Sequence, residues 1–143
     1  MSAIAHGAKV QPHRRRWQPG PLVRFLDLTM SLLFAFAAAV QVNDPDPIRW
    51  IAIYGAACAL SLLVCFNRRV VPVVLVAVFA VAIGWAATIA FGGPAASEYR
   101  HMFDAWEMKS PSVEEAREAS GLLIVAAWMM VLFVRARRSA VRA

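Results

Sequence analysis

Four apolar runs divide this chain, at about 22–42, 48–66, 70–91 and 117–134. The longer ones match the hydrocarbon thickness of a bilayer as helices: roughly 21 residues at about 1.5 Å each span about 31 Å. In lipid every backbone N–H and C=O must be satisfied within the chain, which selects helices for such runs. The expected fold is therefore all-α, a four-transmembrane-helix bundle. Composition points the same way. The chain is 60% hydrophobic and 17% charged, against about 25% charged in a soluble domain. It has too few polar residues to cover a water-soluble core.

The net charge of +6 raises the question of nucleic acid, and its distribution answers it. Arg14 to Arg16, Arg68 with Arg69, and Arg135, Arg137, Arg138 and Arg142 flank the apolar runs. Threading four spans puts eleven of the fifteen Lys and Arg on one side and eight of the nine acids on the other. That is the positive-inside pattern. It predicts an integral protein of the cytoplasmic (inner) membrane with both termini cytoplasmic, the lipid bilayer as its partner and no nucleic acid. Residues 1–21 and 135–143 are expected as basic cytoplasmic tails, the first disordered, and 22–134 as the membrane domain. A rival reading takes residues 1–39 as a secretory signal ending at Ala37-Ala38-Ala39. The length of the run and Asp27 within it favour a span.

Local signals fill in the elements. Asp27 is expected to serve the start of the first helix beside Arg24. Asp46 reads as an N-cap and Pro47 as a first helical residue. Trp50 and Tyr54 stand one turn apart at interfacial depth. Ala52, Gly55, Ala56 and Ala59 offer a small-residue face for helix contact. Cys58 and Cys65 share a face but stand roughly 10 Å apart along a helix, too far for a disulfide. Between the third and fourth spans, Tyr99, Met102, Phe103 and Trp106 recur at helical spacing, the pattern of a short amphipathic outer helix. Ser112 with Glu115 reads as a capping box opening the fourth helix well before its apolar part.

Two motifs resemble the transmembrane protein 220 family. One is Gln-Val-Asn-Asp-Pro-Asp at 41–46, followed by Trp50 and Tyr54. The other is Glu-Glu-Ala-Arg-Glu-Ala-Ser-Gly-Leu at 114–122, followed by Trp128. Trp85 falls where that family tends to have a tryptophan. Ala116 stands where glycine is expected. The resemblance covers residues 22–134. It implies a small multi-pass membrane protein and supplies no activity.

Four spans place both motifs at the same, outer membrane face. On the fourth helix Glu114, Arg117, Glu118, Gly121 and Val125 form one stripe. If it faces the bundle, Glu114 and Glu118 point toward Asp44 and Asp46, and Arg117 is available as an ion partner. Hard cations take several oxygen ligands, and Asn43, Asp44, Asp46, Glu114 and Glu118 supply them. His101 offers a nitrogen that shifts the choice toward a transition metal.

Each residue also has a plain role, as cap, pair or interface anchor. Asp44 and Glu118 lack an easy one. The candidate binding set is therefore Asn43, Asp44, Asp46, Glu114, Arg117 and Glu118 with Trp50 and Tyr54. Within it Asp44, Asp46 and Glu118 are the expected metal ligands. The expected function is a site for a divalent cation or a polar headgroup. The alternative is an accessory or assembly subunit bound to another membrane protein, with the two motifs as a structural latch. No nucleophile motif or phosphate loop argues for an enzyme, and uncharged span centres argue against a transporter.

Overall fold

The computed structural model describes residues 20–66, 70–93, 97–101 and 111–141. Helix α1 is Pro21–Val40, continued by a 3-10 turn at Gln41–Asn43. Helix α2 is Pro47–Cys65, α3 is Pro72–Gly92, α4 is Glu98–His101 and α5 is Pro111–Val141. All four long helices are long and apolar enough to cross a membrane. The described residues contain no strand. The fold is the expected all-α four-helix membrane bundle.

Each long helix begins at a proline: Pro21, Pro47, Pro72 and Pro111. The ring fixes a helical φ, and the missing N–H is one that a first turn leaves unpaired in any case. No side-chain cap bond closes the start of α1, α2 or α3.

The bundle is built from two pairs. Helix α1 packs along α2, and α3 packs along α5, while among the described residues α2 alone bridges the pairs at the backbone level. The core lies where α2, α3 and α5 meet. It contains Trp50, Ile53, Tyr54, Ala57 and Leu60 of α2, Leu75, Ala82 and Ala86 of α3, and Leu122, Val125, Ala126, Met129 and Leu132 of α5. Phe34 joins from α1. Exposed Leu22, Phe25, Leu32, Phe36, Ile48 and Phe91 make the outer surface apolar, as lipid contact requires.

Polar contacts cross between the pairs along their length. Midway, the Trp128 indole N–H donates to Ser61 Oγ at 2.9 Å, and that hydroxyl donates to the Ala57 carbonyl at 2.7 Å. Nearer the Asp44 end, Gly121 of α5 faces the Tyr54 hydroxyl. A Cβ at that position would stand 2.2 Å from the oxygen, so glycine is what allows the approach.

At the opposite end, Arg135 donates to both carboxylate oxygens of Asp27, at 2.6 and 2.9 Å. Asp27 is fully buried. This corrects its reading as a helix-start acid beside Arg24: the partner comes from the last helix, and Arg24 is exposed. The Ser31 hydroxyl meanwhile donates to the Asp27 backbone carbonyl.

Other local expectations change as well. Ser112 lies inside the first turn of α5 because the helix has already begun at Pro111. The Glu115 carboxylate lies against Gly93 at the end of α3, so Glu115 contacts another helix as well. In the small-residue face of α2, Ala52 and Ala59 are exposed, and nothing lies within 4 Å of a Cβ built on Gly55. The bundle contact uses the Trp50, Tyr54, Ala57 and Ser61 side of that helix instead. Both cysteines are free. Of the amphipathic outer helix, Glu98–His101 is described; Met102, Phe103 and Trp106 lie outside the described residues.

Candidate functional site

The turn between α1 and α2 is shaped by its own side chains. The Asp44 backbone N–H donates to the Gln41 carbonyl at 3.1 Å and closes the 3-10 turn. Asp44 Oδ1 accepts the Asp46 backbone N–H at 2.9 Å. An aspartate bonding its own backbone two residues on is a common turn device. It fixes the Asp44 side chain and leaves its second oxygen for other use.

Glu114 and Glu118 stand one turn apart on α5, and so on one face. A carboxylate oxygen from each of Asp44, Glu114 and Glu118 lies within 4.8 Å of the others. All three residues are half-buried. The group thus draws one member from the α1–α2 corner and two from α5, brought together across 70 or more residues of chain.

Asp46 stands apart from this group. It occupies the cap position of α2, but its carboxylate forms no cap bond and pairs with Arg49 one turn on. Both side chains of that pair are exposed. Asn43 is exposed in the 3-10 turn. Arg117 is half-buried on the same helix as the two glutamates. For His101 only the backbone is described.

The aromatic residues are core rather than rim. Trp50 is 1% exposed and Tyr54 6%. The Trp50 ring stacks on Trp85 at 4.3 Å between centroids and on Tyr54 at 6.2 Å. The Arg49 guanidinium sits 5.5 Å from the centre of the Trp85 ring, within cation–π range. Among the described residues the buried Trp50 Nε1 has no hydrogen-bond partner. Trp85, Trp50 and Tyr54 thus form a stacked aromatic row, with Arg49 at its edge.

Arg49 is a site residue that sequence reasoning passed over. The signal was present, since Asp46 and Arg49 are three apart at a helix start. The N-cap role for Asp46 competed with it and was preferred.

Three oxygens held this close repel strongly when ionised. Two unit charges 4.8 Å apart at an effective dielectric of 20 interact by about 3.5 kcal/mol. A fully ionised trio therefore carries on the order of 10 kcal/mol of mutual repulsion. Positive charge placed among the oxygens, or protons taken up by them, removes it.

Fold and site together define a class: a four-span integral membrane protein with a convergent carboxylate group at one rim. The chain belongs to the family described as Transmembrane family 220, helix, whose model matches residues 33–134 and so contains both motifs. It is 32% identical over 110 residues to Transmembrane protein 220 of Xenopus laevis. That match covers 77% of this chain and 58% of the relative, so the chain spans well under two thirds of that relative's length. No solved structure matches.

Proposed function

We propose that the protein holds a divalent cation between Asp44, Glu114 and Glu118. The supporting observation is the convergence of three half-buried carboxylates from two separate parts of the chain within 4.8 Å. Calcium binds oxygen at about 2.3–2.6 Å, so ligands on opposite sides of it stand about 4.6–5.2 Å apart. Magnesium, at about 2.0–2.1 Å, asks for a tighter set. Oxygens all within 4.8 Å of one another can reach one hard cation together, with water completing the shell. Asp46 is left out of the ligand set because Arg49 already neutralises it.

The basic residues of α1 and α5, Arg24, Arg135, Arg137 and Arg138, lie at the end opposite the carboxylates. By the positive-inside pattern that end is cytoplasmic and the cation site faces outward across the inner membrane. A cation there joins the α1–α2 corner to α5 and tightens the outer end of the bundle.

The test is thermal melting of the detergent-purified protein with EDTA and then with added Ca²⁺, Mg²⁺ or Mn²⁺. Calcium at a hundred times its Kd stabilises the folded form by about 2.7 kcal/mol. The rise in melting temperature disappears in Asp44→Asn and in Glu118→Gln. A wild-type protein whose melting is the same with EDTA and with each of the three ions overturns the proposal.

A further inference from the structure

At the end opposite the carboxylates, an ion pair joins the first and last long helices. Helices α1 and α5 do not approach each other along their backbones. The Arg135 side chain crosses the gap and takes both oxygens of Asp27. Asp27 is fully buried, in a helix whose neighbouring surface is apolar and exposed at Phe25, Leu26 and Leu28. The cation nearer in sequence, Arg24, is one turn away and exposed.

We infer that the Asp27–Arg135 pair is an assembly lock, which selects how the α1–α2 pair docks onto α3–α5 and completes itself only when the last helix is in place. The reasoning is electrostatic. An ionised carboxylate within an apolar bundle needs a partner with matching geometry, and a guanidinium fork supplies two parallel bonds. Asp27 is made 108 residues before Arg135. Until α5 enters, the acid depends on water or Arg24 and holds α1 near the interface. Once α5 is present, one rotation of α1 and one depth of insertion satisfy both oxygens. Other dockings leave a charge unpaired in an apolar setting, the costly outcome for a buried pair. The pair thus acts by penalising wrong arrangements more than by strengthening the right one.

Charge variants of the full chain in detergent test this. Arg135→Leu strands the Asp27 charge and lowers the melting temperature by about 10 °C. The double variant Asp27→Leu with Arg135→Leu removes both charges and melts well above Arg135→Leu alone. The swap Asp27→Arg with Arg135→Asp regains at least half of the loss. If Arg135→Leu yields no folded protein, a folded double variant supports the lock and an unfolded one overturns it. Arg135→Leu melting within 2 °C of wild type, or a double variant no better than the single, also overturns it.

Discussion

Placing a methyl group on Gly121 tests a close approach between the two helix pairs. The added Cβ meets the Tyr54 hydroxyl at 2.2 Å and Cζ at 3.3 Å. Ordinary contact is about 3.5 Å or more, so the oxygen is more than about 1 Å too near. Tyr54 is buried and stacked on Trp50, which leaves its ring little room to swing aside. Overpacking of this kind costs about 1–3 kcal/mol. Alanine also raises helix propensity by up to about 1 kcal/mol, which masks part of the loss. Gly55→Ala and Gly84→Ala measure that gain alone, because nothing lies within 4 Å of a Cβ at either site. Relative to them, Gly121→Ala is expected to be less stable by about 2 kcal/mol, or about 5 °C in melting temperature. In a Tyr54→Phe background the nearest atom becomes Cζ, and most of the loss returns as a coupling of about 1–2 kcal/mol. The assay is thermal unfolding in one detergent for all five variants. Gly121→Ala melting level with the two control glycines, or a Tyr54→Phe background that restores nothing, refutes the close packing of α2 on α5.

Removing the Ser61 hydroxyl leaves the Trp128 N–H without its acceptor and is expected to cost about 1 kcal/mol. Trp128→Phe in a Ser61→Ala background should then add less than it does alone, read by the same melts. Met129→Ala, at a fully buried position, should cost about 2–5 kcal/mol. Phe91→Ala, at a position 93% exposed, should shift melting by less than about 2 °C in detergent. Equal effects at 129 and 91 would mean that the inward and outward faces are assigned wrongly.

The helical architecture was legible because length and apolarity are local properties. Each run near 20 residues announces a span without reference to any other part of the chain. The Asp44 and Glu118 neighbourhood was legible one step further out, by counting crossings and noting which motifs fall at the same end. What escaped depends on which helices are neighbours and which face each turns inward. Helix α2 is apolar almost all round, so its sequence does not say that Trp50 and Tyr54 point into the bundle. Aromatics near a helix end then read as interface anchors. Asp27 with Arg135 is the sharpest case. A nearby arginine offered a local explanation, and the true partner lies 108 residues away on a helix whose backbone α1 does not approach. Asp46 shows the same competition at short range, where a capping rule displaced the ion pair with Arg49.

The prolines that open the long helices bear on the acids beside them. A first helical residue that is proline is already bent to the correct angle and leaves one fewer unpaired donor at the helix start. At the start of α2 no side-chain cap bond forms, and neither aspartate of the preceding corner is spent on one. One pairs with an arginine on the surface, and the other places a carboxylate oxygen beside the glutamates of α5. Replacing Pro47 with alanine frees the first turn of its fixed angle and adds a donor beside the corner, a change that reaches the rim without altering any of its three carboxylates.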